Sequence, residues 1–91
     1  MKGLELEVYD EDGRVIIELE YKGVLYTEEF NNRAEDVIAA AKETVSRLFE
    51  EIEKVDELRP YEKEEMQRQI FLTQSKMGYL TKEAIAELLD L

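Results

Sequence analysis

The sequence predicts an α+β fold, a three-stranded antiparallel meander packed on a long helix that two shorter helices follow. Three observations carry this expectation. Apolar residues alternate with polar ones on both sides of Asp12-Gly13, and Lys22-Gly23 offers a second tight turn. From Ala34 onward the apolar spacing changes to fours and threes, the period of a helix. Arg59-Pro60 and Gly78 then divide that helical stretch into three. With 91 residues, 44% of them hydrophobic, the chain suits one small domain over 1–91. Its expected parts are a meander over 1–30 and helices over 33–57, 60–77 and 81–90.

In the first strand Leu4, Leu6 and Val8 alternate with Glu5, Glu7 and Tyr9. In the second, Val15, Ile17, Leu19 and Tyr21 alternate with Ile16, Glu18 and Glu20. A two-residue turn at Asp12-Gly13 sets Glu11 against Arg14, Val8 against Ile17, Leu6 against Leu19 and Leu4 against Tyr21. Every apolar residue of the first strand then meets an apolar residue of the second on one face. A turn at Lys22-Gly23 extends the pattern to a third strand, pairing Leu19 with Tyr26 and Val15 with Phe30. Glu28 would point inward opposite Ile17, and a bulge between Thr27 and Glu29 would repair this.

The Asp-Glu-Asp-Gly run at Asp10–Gly13 also invites a metal-loop reading. A calcium loop of the EF-hand kind closes on a Glu at its twelfth position, and counting from Asp10 that position is Tyr21. A hairpin bend accounts for the run, and no metal site or cofactor is expected.

Asn32 followed by Glu35 reads as an N-cap with its capping box. The apolar positions 34, 38, 41, 45, 48, 52 and 55 define one helix face. A helix from Arg33 to Glu57 would be about 37 Å long. An eight-residue strand spans only about 27 Å. Leu48, Phe49, Ile52 and Val55 therefore need other cover, either the last helices or a second copy of the chain. Pro60 suits the first turn of the next helix, whose apolar side carries Met66, Ile70 and Met77 with Phe71 and Leu72 adjacent. Its methionines are expected to fill the core. Gly78 suits its end, and Thr81 caps a third helix with Ile85, Leu88 and Leu89 inward.

The stretch Met77–Leu89, MGYLTKEAIAELL, resembles the helix-turn-helix joints of many families, and its Gly-Tyr-Leu-Thr resembles the exit of an EF-hand loop. With Gly78 as the sixth loop residue, the ligand positions 1, 3, 5 and 12 fall on Thr73, Ser75, Met77 and Ala84. None is a carboxylate, so the likeness implies only a structural joint. A DNA-reading pair of helices would need a basic surplus that this region lacks.

Charge is the most directional feature. The net charge is -11, and it is uneven. Residues 1–30 hold 9 acids and 3 bases, residues 31–58 hold 8 and 4, and residues 59–91 hold 6 and 5. A field of this sign repels phosphate backbones and anionic lipid, and favours basic proteins as partners. The predicted register gathers Glu5, Glu7, Tyr9, Glu18, Glu20 and Glu29 on the second face of the sheet, with Glu7 opposite Glu18 and Glu5 opposite Glu20. Like charges directly opposite across a sheet are destabilising. That face is either a solvated surface or a binding surface for a cationic protein.

The chain has no histidine and no cysteine. The commonest general base and the strongest side-chain nucleophile are missing, and the four glycines, at 3, 13, 23 and 78, form no phosphate loop. Enzymatic function is not expected. No apolar run reaches 18 residues, and MKGLELEV has no apolar signal core, so a cytoplasmic location is expected. Two functions emerge. The first is an acidic interaction module, an inhibitor or regulator occupying the basic surface of a nucleic-acid-handling protein. The second is a structural subunit that forms a homodimer or larger homo-oligomer through Leu48, Phe49, Ile52 and Val55.

Overall fold

In a computed structural model, which describes residues 4–33 and 35–89, strands β1 (Leu4–Glu11), β2 (Arg14–Tyr21) and β3 (Val24–Asn31) precede helices α1 (Val37–Glu53), α2 (Pro60–Lys76) and α3 (Lys82–Leu89). The sheet order is β1-β2-β3, with both pairs antiparallel. Leu6 pairs with Leu19, Glu7 with Glu18, Leu19 with Tyr26 and Val15 with Phe30, the register set by the two turns. Asp12 and Lys22 have φ of 53° and 52°, and the glycine after each has φ of 81°. Positive φ at both central residues is the type I′ hairpin turn, which matches the twist of the flanking strands.

No bulge interrupts β3, and Glu28 lies directly across from Ile17 on the inner face. The expected repair is replaced by a counterion. Arg47 of α1 donates from Nε to Glu28 Oε1 at 2.8 Å and from Nη2 to the Glu29 carbonyl at 3.1 Å. Because β3 is an edge strand lying against α1, an inward carboxylate can be met there from the side by a helix residue.

Helix α1 starts later and ends sooner than the apolar spacing predicts. Asn32 does not cap it. The Asn32 backbone N–H donates to the Gly13 carbonyl at 2.9 Å, and its side chain reaches Asp10, so this residue closes the sheet. Asp36 is the cap instead, its Oδ1 accepting from the Ala39 N–H at 3.0 Å. Ala34, the first expected apolar position, lies outside the described residues. The resulting 17 residues span about 26 Å, the length of a strand.

That match changes what the helix needs. Leu48 and Ile52 are fully buried within the chain, Leu48 among Val15, Ile17 and Phe71, and Ile52 among Leu19, Tyr21, Leu58 and Met66. Phe49 is half-buried beside both groups, and only Val55, past the helix end, is exposed, at 72%. Of the two covers that the length argument left open, the later part of the chain supplies one, through Leu58, Met66 and Phe71.

Pro60 opens α2 after Arg59, whose extended backbone suits a residue before proline. Glu62 Oε1 accepts from the Arg59 N–H at 3.1 Å, and Tyr21 donates its hydroxyl to Glu62 Oε2 at 2.9 Å. Gly78, at φ 84°, ends the helix in a Schellman motif, with the Tyr79 N–H on the Gln74 carbonyl and the Gly78 N–H on the Ser75 carbonyl. Thr81 caps α3, its Oγ1 accepting from the Ala84 N–H at 3.1 Å. The last residue of the expected third helix, Asp90, lies outside the described residues. Two expected core positions of α2 face water, Met77 at 52% exposure and Leu72 at 44%, while Met66 is fully buried. Gln74 occupies the inward position instead, four residues beyond Ile70, and it is fully buried.

Candidate functional site: the acidic face of the sheet

The inner face of the sheet is closed by the helices, which leaves its outer face to the surroundings. Alternation along the strands puts Glu5, Glu7, Tyr9, Ile16, Glu18, Glu20, Leu25 and Glu29 there. Glu5 stands directly across from Glu20 and Glu7 directly across from Glu18. Counting from the type I′ turn, both pairs occupy hydrogen-bonded ladder positions, where Cα atoms lie about 5.5 Å apart. Neighbouring acids along one strand are about 6.8 Å apart. Glu5, Glu7, Glu18 and Glu20 border a shallow hollow of 240 Å³ with Leu25, which is 62% exposed, at its side.

The six residues expected on this face share it but not one environment. Glu29 is neutralised, because Arg14 forms an ion pair with it. Tyr9 donates its hydroxyl to Glu18 Oε1 at 2.8 Å. That bond, partial burial and the charges of Glu18, Glu11 and Glu7 push the Tyr9 phenol up to about 12. Glu20 also holds its proton above the ordinary carboxylate range. The main cause is a hydrogen bond with Glu5, followed by the charge of Glu5 and some loss of water. Like-charge crowding on the sheet is thus expressed as a raised proton affinity.

Arg14 stands across from Glu11, as the first turn requires, and its guanidinium also reaches diagonally to Glu29 on β3, a pairing that sequence reasoning missed. The signal lay in the register, since Arg14 and Ile16 are neighbours on one face and Ile16 pairs with Glu29. Among the described residues, no ion pair reaches Glu5, Glu7, Glu18 or Glu20, and no group of three or more Asp or Glu residues is arranged to hold a metal ion.

Of the expected homo-oligomer contacts, Leu48 and Ile52 are fully buried, Phe49 is half-buried, and Val55 is exposed beside a hollow that it shares with Val24 and Tyr26. No helix among the described residues is long and apolar enough to cross a membrane. Compared with protein-family models, curated proteins and solved structures, the chain matches none.

Proposed function

We propose that this protein is an acidic interaction module that occupies the basic surface of a nucleic-acid-handling protein, as an inhibitor or regulator whose carboxylates stand in for phosphates. One observation carries the reading. Two Glu–Glu pairs, Glu5 with Glu20 and Glu7 with Glu18, face each other on an exposed sheet surface whose arginine, Arg14, is engaged with Glu29. Such pairs lower stability, and a cationic partner removes that penalty. The net charge of -11 steers the encounter and disfavours direct contact with nucleic acid. The chemistry assigned is binding, with no catalytic step and no cofactor. The absence of cysteine fits a reducing compartment, and the cytoplasm is the proposed location.

The test begins with a pull-down from the source cell and mass spectrometry to identify the partner. The double variant Glu7→Lys/Glu18→Gln is then compared with the native protein. It is expected to associate more slowly and bind more weakly, and native binding is expected to weaken steeply with salt. The same variant is expected to fold more stably by a few tenths to about 1 kcal/mol. Nucleic acid is expected to compete with the native protein for the partner. Unchanged rate and affinity in the variant would overturn the proposal.

A further inference from the structure

The two edges of the sheet differ. The type I′ turn makes Glu11 and Arg14 a hydrogen-bonded pair, and the ladder alternates from there. Odd-numbered residues of β1 therefore direct their backbone groups to β2, while Leu6 and Val8 turn theirs outward. On β3 the same count from Lys22-Gly23 turns Leu25, Thr27 and Glu29 outward. One of these groups is occupied, since Arg47 Nη2 donates to the Glu29 carbonyl at 3.1 Å. Helix α1 thus engages the Glu29 end of the β3 edge. Among the described residues, no hydrogen bond from any other element reaches the backbone of the β1 edge.

Proteins usually close a free edge with proline, a bulge, lysine or a covering segment. Strand β1 runs eight residues without a proline, a lysine or a bulge. Its distinguishing feature is acid. Glu5 and Glu7 are exposed on its outer side, and Leu4 and Leu6 are half-buried on its inner side. A second copy of the chain is a poor occupant, because β1 against β1 sets the Glu5–Glu7 row against itself. A strand with Lys or Arg at alternate positions sets cations beside Glu5 and Glu7. Its intervening apolar side chains extend the cover over Leu4 and Leu6. Its backbone pairs with the outward groups of Leu6 and Val8.

We propose that the outer edge of β1 is a strand-addition site for an extended cationic segment of a partner protein, in which Lys or Arg alternates with apolar residues. The inference rests on the acidic face binding a basic protein and adds the manner of docking.

The test titrates the ¹⁵N-labelled protein at low salt with a ten-residue peptide alternating Lys and Val. Two further versions carry N-methyl groups on alternate residues, one in each register. A fourth has Glu for Lys. The plain peptide is expected to saturate at one per chain and to slow amide exchange of Leu6 and Val8 at least tenfold. Methylation in the register that faces β1 is expected to weaken binding at least tenfold, and the Glu peptide is expected not to bind. Tight binding by both methylated versions would overturn strand addition while leaving the acidic face as a binding surface. Protection of Leu25 and Thr27 in place of Leu6 and Val8 would overturn the choice of edge. No binding of the plain peptide at millimolar concentration would overturn the docking proposal and the reading on which it rests.

Discussion

Tyr21 donates its hydroxyl to Glu62 Oε2 at 2.9 Å, tying the end of β2 to the first turn of α2. The ring is only 2% exposed, and burial together with this bond raises the phenol above its ordinary value. Glu62 is held below its usual range, first by the Arg59 N–H and then by Tyr21. A depressed carboxylate contributes stability above its unfolded pKa and loses it as pH falls through the folded value. Tyr21→Phe keeps the ring and removes the bond. It is expected to lower stability by about 1–2 kcal/mol at pH 7, and the stability lost below pH about 4.5 is expected to shrink. Urea denaturation at a series of pH values checks both, and an unchanged midpoint at pH 7 would contradict the bond's role.

Arg47 is the condition for Glu28 to face inward. Arg47→Met leaves that carboxylate half-buried with no cation, and the expected loss is about 1–2 kcal/mol. Adding Glu28→Leu to the same variant is expected to recover most of it, because the charge and its partner leave together. A double-mutant cycle by thermal denaturation measures the coupling, and additive losses would show that the pair contributes nothing.

Gln74 is fully buried, and neither its Oε1 nor its Nε2 has a hydrogen-bond partner. An unsatisfied buried amide costs about 1–3 kcal/mol. Gln74→Met fills similar space without polar atoms, and it is expected to raise the melting temperature by about 4–8 °C for each kcal/mol recovered. Calorimetry decides the matter, and a lower melting temperature would mean that the amide is satisfied.

Glu20 titrates with the opposite sign to Glu62. Its folded pKa is raised, so its contribution is fully present below the unfolded value and is lost as pH rises through the folded one. Mild acidification from pH 7 is therefore expected to stabilise the native protein before the depressed carboxylates, Glu62 and Asp56, begin to protonate. Glu20→Gln is expected to remove that early gain. Denaturation midpoints at pH 7 and pH 5 give the comparison, and an equal gain in the variant would assign it to another group.

The strand register was readable because two independent local signals agree. Asp12-Gly13 and Lys22-Gly23 define turn geometry, and the alternation from Leu4 to Phe30 fits only the pairing those turns allow. Glu28 was readable as inward, but its remedy was not, since Arg47 lies 19 residues away and meets it only after α1 packs. The start of α1 failed for a related reason. Asn32 has the chemistry of a cap, but the Gly13 carbonyl and Asp10 compete for it across the sheet end. The helix is eight residues shorter than its apolar spacing implied, 17 against 25, and the cover expected from the later part of the chain is found at Leu48 and Ile52. The acidic pairs were readable in full because they follow from register alone. The difference between the two edges was not, since it depends on how the helices pack and on Arg47 reaching the Glu29 carbonyl of β3.

Each strand in the sheet pairs only with its neighbour in sequence, across a turn of two residues. This arrangement sets an order in time. A hairpin closes in about 1–10 μs, whereas contacts that bring α2 back to the sheet must wait for a longer loop to close. Disrupting the first turn is expected to act on the folding rate, and loosening the contact between Ile52 and the sheet on the unfolding rate. Gly13→Ala places a side chain at φ 81°, where the nearest atom, Asn32 Oδ1, is 3.7 Å away, so the strain is conformational and not a clash. Stopped-flow chevrons are expected to show slower refolding for that variant and faster unfolding, with refolding preserved, for Ile52→Val. On this topology the meander is expected to form first, with its carboxylate face in place before the helices cover its other side.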